Sequence, residues 1–413
     1  MIMLSQQQRI FFEFLRFCIG TVQEVPSSLK GADWRVLYAM ARKQCLVGVL
    51  FDGIKRLPAD VGMDKGLLFQ WMAQNQTLRK TNARLDKAAV EVAEWFGRKG
   101  FRTCVLKGQG NALLYPPGME RMPGDIDLWV DGGDRKVVSF VRSLSPDEKV
   151  CYHHIGFPEY NGVEVEVHFR PSFLFCFRHN RRLQEYYERV MDEQFAHRVK
   201  LGGQGEVAVP KAEFNLIFQL THIFTHLMNE GIGLRQLLDY FFLLKNTDFI
   251  GNTDGDGFLL NTNCSDNTDK FSGSAEKHSG DWGDSCSSIL GSDSSELTDG
   301  VDRRLLRDEL RRLGLWEFAG AVMYIMKEVF GLEDDRLIVP PDVKRGRLVL
   351  KEALEAGNFG QYDKRNWFGH SALGHNLQRL YRDMRLVRFF PAEALSEPFF
   401  RIWHFFWRKR IVR

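Results

Sequence analysis

The chain has 413 residues, 44% of them hydrophobic and 26% charged, and a net charge of +3. That length can bury substantial cores in more than one domain, and the small charge argues against a nucleic-acid partner. No apolar run reaches the roughly 18 residues of a membrane span, and seven cysteines without CxxC or zinc spacing read as reduced thiols of a cytoplasmic protein.

Residues 1–100 read as an N-terminal helical region. The start, MIMLSQQQRIFFEFLRFCIG, is apolar but broken by Gln, Arg and Glu, so it predicts a packed helix and no signal peptide. In ARLDKAAVEVAEWFGRKG, Leu85, Ala88, Ala89, Val92, Trp95 and Phe96 share one helical face, and Gly100 marks the stop. From 101 to 180 the period changes to that of a small α/β unit. RTCVLKG and DIDLWV read as strands and DRKVVSFVRSL as a helix. VCYHHIGF and VEVEVHFR read as two more strands, joined through a turn from Pro158 to Gly162. Residues 181–246 read as helical again. Residues 247–300 are rich in Ser, Asp, Gly, Asn and Thr, with few apolar groups to set against ordering entropy, and predict a disordered insertion.

Inside that insertion, NTDGDGFLLNTN (252–263) places Asn252, Asp254, Asp256 and Gly257 as a calcium loop would. Asn263 stands where a bidentate Glu belongs, so the linker reading is preferred. Residues 301–413 form a C-terminal helical region. Its tail, PFFRIWHFFWRKR, fits a helix docked on the core or a peripheral contact with an anionic membrane. The spread of aromatics around the helix favours docking.

The chemistry concentrates in GDIDLWV. Side chains two apart on a strand point the same way, with Cα atoms about 7 Å apart. Asp125 and Asp127 therefore share one face, and Ile126 and Leu128 the other. Two unpaired carboxylates repel, and Mg²⁺ or Mn²⁺ would relieve that conflict; a solvated, salt-bridged strand face explains the same letters. In VEVEVHFR the acids Glu164 and Glu166 fall on one face with His168. If that strand adjoins DIDLWV, it supplies a third carboxylate for phosphoryl transfer. Lys107 and Gly108 end the first strand before a short helical stretch, where backbone N–H groups could cradle phosphate. Lys107 and Arg121 could neutralise its charge, or serve as a solvated strand end and an ion-pair partner of the aspartates. His222 and His226, four apart on a helix, read as packed polar groups more readily than as metal ligands. Arg235 and Asp239, at i and i+4, predict an intrahelical pair.

These residues, in the pattern LKG…Y…R…GDIDLWV…VEVH, resemble the nucleotidyltransferase superfamily that includes DNA polymerase β. More narrowly they resemble a bacterial nucleotidyltransferase-like family with LKG and DID motifs. His222, His226, Arg235 and Asp239 stand where that family tends to have H, H, R and D. The resemblance implies a nucleotidyltransferase α/β core, a small mixed sheet with helices, embedded between helical regions. It also implies transfer of a nucleoside monophosphate from an NTP donor, with Asp125, Asp127 and Glu166 as catalytic metal ligands. Lys107, Gly108 and Arg121 would then meet the triphosphate. One departure is Gln109, where the wider superfamily has serine. It keeps open a second reading, a binding module of the same fold without catalysis, acting through its helices.

Overall fold

The computed structural model describes residues 4–58, 62–250, 300–365, 367–368 and 371–412. The calcium-like stretch 252–263, and nearly all of the expected insertion, lie outside the described residues.

Helix α1 (Gln6–Cys18) begins at a reciprocal cap, in which Ser5 and Gln8 bond each other's backbone N–H. It buries Phe11, Phe14 and Leu15 against α2 (Trp34–Lys43) and α3 (Val47–Ile54). Helix α4 (Lys65–Arg98) serves two cores. Its first turns place Leu67 and Trp71 in the helical core, and its last turns place Leu85, Ala89, Val92 and Phe96 against the sheet. The face read from the sequence is the second of these.

Then come β1 (Thr103–Val105), the short α5 (Gln109–Ala112), β2 (Ile126–Val130), α6 (Gly133–Leu144), β3 (His154–Tyr160) and β4 (Val163–His168). The sheet is mixed, in the order β1-β2-β4-β3, with β2 and β4 parallel and the outer pairs antiparallel. One face, with Ile126, Leu128, Val165 and Val167, packs under α4 and α6. The other carries Asp127, Trp129, Glu166 and His168. This second face is covered too: Trp129 stacks on Phe214 at 5.6 Å and meets Phe195 at 4.7 Å.

Two expectations change. The turn is narrower than Pro158–Gly162: β3 runs through Pro158, and only Asn161 and Gly162 take positive φ, 53° and 71°. β3 is an edge strand, where a residue without an N–H costs no ladder bond. The segment 181–246 is not wholly helical. Between α7 (Phe177–Ala196) and α8 (Ala212–Asn229) lies a hairpin, β5 (Arg198–Leu201) and β6 (Gly205–Ala208), with Val199 and Val207 turned into the sheet core.

Helix α9 (Leu234–Asn246) lies against α8, and both are buried almost all round. Ile250 and Asp302 pair beside each other, so the chain leaves and returns at one edge. There follow α10 (Arg303–Arg312), α11 (Trp316–Ile325), α12 (Val343–Ala356), α13 (Ala372–Leu386) and α14 (Pro391–Ile411). Helix α14 docks one face, with Phe400 and Trp407 packed on Tyr152. Its other face exposes Leu395, Phe399, Ile402 and Phe406, each at least 58% accessible. No described helix is long and apolar enough to cross a membrane.

Candidate active site

Parallel pairing of β2 and β4 sets Asp127 across from Glu166. Glu166 is half-buried, whereas Glu164 is exposed. Two residues on, His168 returns to the same face. Its Nε2 lies 2.9 Å from Asp127 Oδ1 and 3.5 Å from Glu166 Oε2. The ligating atoms of Asp127, Glu166 and His168 all lie within 4.8 Å of one another. Asp125 lines the adjoining cleft but stands outside that cluster. Among the described residues it has no hydrogen-bond or ion-pair partner.

Asp127 is 1% exposed. Burial pushes its carboxyl up, but Lys107, with Nζ 3.0 Å from Oδ1, and His168 outweigh burial and hold it below the usual range. Burial likewise opposes the charged form of Glu166, yet His168 and His154 draw it down to about 2. His168 itself is depressed by burial and raised more by the two carboxylates, reaching about 9. Two cationic groups thus do much of what a divalent cation was expected to do. The donor set still fits one. Asp127 Oδ2 is buried without a hydrogen-bond partner, Glu166 offers a further hard oxygen close by, and Asp125 lines the same cleft.

His153 and His154 were not singled out from the sequence. Their rings pack beside His168, and His154 Nδ1 lies 3.4 Å from Glu166 Oε2. Burial holds His154 down at about 4. The signal was present in VCYHHIGF, but a strand reading alone does not say which face the adjacent histidines take.

Lys107 turns inward. Its Nζ also lies 2.9 Å from His222 Nε2, which lies 2.9 Å from His226 Nε2; His226 Nδ1 meets Glu230 at 2.5 Å. The two helical histidines therefore extend a polar line from Asp127 toward the surface. Burial, then the neighbouring Lys107, keep His222 well below its ordinary value, so its neutral ring can accept from the ammonium.

Gly108 has φ +63°, a conformation that suits glycine, and lines the cleft. The helix after it is only 4 residues long. Gln109 points away, its amide bonded to Asp86 of α4. Arg121 is engaged elsewhere. Its Nε and Nη2 donate to the two oxygens of Asp239, each at 2.8 Å, and Tyr115 Oη donates to Oδ1 at 2.6 Å. The expected Arg235–Asp239 pair does not form, because Asp239 is taken by this bidentate partner. Arg235 instead donates to the carbonyls of Met122 and Pro123, at 3.3 and 3.2 Å, just before Gly124 and Asp125. It has no ion-pair partner among the described residues, and its buried Nε is unpartnered. It lines the cleft with Asn111, Gln219 and Gln236.

Against known proteins, residues 30–256, more than half of the chain, match the model of a family described as uncharacterised nucleotidyltransferase. The chain belongs to that family. No curated protein and no solved structure matches it. The matched span runs from before α2 through α9, so it contains every residue of the cleft named above. Membership supports a general nucleotidyltransferase function.

Proposed function

We propose that this protein transfers a nucleoside monophosphate from an NTP to an acceptor in a metal-dependent reaction at the Asp125–Asp127–Glu166 cleft, on a nucleotidyltransferase fold. The observation that carries the reading is the orphaned, buried Oδ2 of Asp127, beside a strand partner that supplies a second acid. Asp125, Asp127 and Glu166 would hold Mg²⁺ or Mn²⁺, which when bound lowers the pKa of an attacking hydroxyl and neutralises phosphate charge. Glu166 suits a ligand better than a general base, since a carboxyl held near 2 has little affinity for the proton it would take. Lys107 keeps Asp127 ionised and oriented. Arg235, without a carboxylate of its own, is the cation assigned to the triphosphate, a part Arg121 cannot play while Asp239 holds it. The cavity at this cleft is ≈ 30 Å³, so the donor enters only as the side chains lining it move. Phe359, whose ring sits 5.4 Å from the Arg235 guanidinium, is the side chain placed to do so.

The test is isothermal titration of a Mg²⁺–NTP analogue. Asp125→Asn/Asp127→Asn should bind at least about tenfold more weakly than wild type, a loss of about 1.4 kcal/mol. Equal binding by both proteins would sink the reading and leave the non-catalytic module in its place.

A further inference from the structure

On the far side of Phe359 from the carboxylates lies a much larger cavity, ≈ 550 Å³, within the range of small-molecule sites. Phe359 lines both spaces. It adopts the left-handed region, φ 49°, and is followed by Gly360 at φ 68°. A Cβ at Gly360 would strike the Glu230 carbonyl, so this turn is pressed tightly onto the end of α8. The cavity wall is basic: Lys149, Arg379 and Arg382, with His375 beside them. The carboxylate on that wall, Glu230, is already bonded to His226.

Arg382 is the telling residue. It is 2% exposed, yet its contacts are long: 3.5 Å to the Leu227 carbonyl and 3.6 Å to Asp363 Oδ2. Asp363 is itself already held by Arg365, at 2.7 Å. Arg382 Nε has no partner, and neither does the amide oxygen or nitrogen of Gln378 on the same wall. Burial, and then the neighbouring Arg385 charge, hold the Arg382 guanidinium below its ordinary value, and Glu352 and Asp363 offset this only in part. A buried cation whose counter-charge is distant and shared with another arginine is costly, and an anion in the cavity would offset that cost.

We propose that this cavity is a second substrate site, which takes a phosphate- or pyrophosphate-bearing small molecule next to the nucleotidyl-transfer cleft. Its binding argument stands on the cavity itself; its role as a substrate site rests on the function proposed above. Two sources share the chemistry: a phosphorylated acceptor, or the triphosphate tail of the donor. The polar line from Asp127 through Lys107, His222 and His226 ends at Glu230 on this wall, and so joins the two spaces.

The experiment is titration of inorganic pyrophosphate into the full chain with EDTA present. Saturable binding is expected, weakened at least about tenfold by Arg382→Gln and by the exposed-site change Lys149→Gln, and altered by less than about twofold by Asp127→Asn. Should Arg382→Gln fail to fold, Cys151 provides a second measure. This half-buried thiol lines the cavity, and pyrophosphate should slow its alkylation in the wild-type protein at least about tenfold. Competition by ribose 5-phosphate identifies an acceptor monoester; competition by ATP alone identifies the donor tail. Wild-type binding by both basic-wall variants, or absence of Cys151 protection, overturns the proposal. Loss of pyrophosphate binding in Asp127→Asn with wild-type binding by the wall variants also overturns it, by moving the phosphate to the carboxylate cleft. That outcome leaves the nucleotidyltransferase reading standing. Conversely, normal Mg²⁺–NTP binding by the aspartate variants removes that reading while the basic cavity remains.

Discussion

The Arg121–Asp239 pair is closed to solvent on both sides, with side-chain exposures of 6% and 7%. Burial raises the Asp239 carboxyl, and the bidentate guanidinium more than reverses that, leaving it low. Removing one charge from such a pair leaves the other stranded. Asp239→Asn, nearly isosteric, is therefore expected to cost about 3–5 kcal/mol, read as a lower urea midpoint with an unchanged slope. A loss under about 1 kcal/mol would mean that water reaches Arg121 and that the pair is not structural. This pair also shows what the letters hide. R, R and D were visible at 121, 235 and 239, and local spacing favoured the i, i+4 partner. The bidentate partner comes from a loop more than a hundred residues earlier in the chain, and periodicity says nothing about such distances. Gln109 is similar: its identity raised a question about phosphate binding, and only its contact with Asp86 shows that it faces α4.

Elements were more legible than partners. The alternation in DIDLWV and VEVEVHFR set the two faces of β2 and β4, because one face must bury its valines. That the acid face is also covered could not be read from either strand, since its cover is α7 and α8. The hairpin at 198–208 was missed because its strands are short and lie between strongly helical segments. The hairpin of α13 and α14 holds a different hidden device. Asp383 and Glu397 are 6% and 0% exposed, and none of their four carboxylate oxygens has a hydrogen-bond partner, so keeping both charged is costly. Burial first, and the Glu397 charge second, push Asp383 up to about 8. The sign follows: between its ordinary value near 3.8 and about 8 the folded state binds the extra proton, so stability falls as pH rises through that window. Asp383→Asn replaces the titrating carboxyl with a neutral amide. Its melting temperature should stay flat between pH 6 and pH 9, while that of the wild type declines. The variant should lead by about 1 kcal/mol or more at the alkaline end. Parallel curves would show that Asp383 binds no extra proton in the folded state.

At the scale of the molecule, the hairpin is the part whose surroundings the fold leaves unexplained. On α14, Leu395, Phe399, Ile402 and Phe406 recur at helical spacing and are exposed; on α13, Leu373, Leu377, Leu380 and Met384 do the same. The two helices are tied by Arg379–Glu397 and Arg401–Asn376 contacts. Exposed apolar stripes of this kind mark an interaction face. The basic run Arg408, Lys409, Arg410 closes α14, and the occupant its charge favours is an anionic bilayer. Docking of α14 on the core takes one face of the helix, and the membrane contact that the sequence set against it would fall to the other, exposed face. The protein should sediment with phosphatidylserine vesicles at low salt and release from them as salt rises, with little binding to phosphatidylcholine. Phe399→Ser/Ile402→Ser, on the solvent face and away from the Tyr152 contact, should reduce that binding at least about tenfold without lowering the melting temperature. Salt-independent dimerisation of the wild type that the same pair of substitutions abolishes would assign the face to a second copy of the chain and remove the membrane.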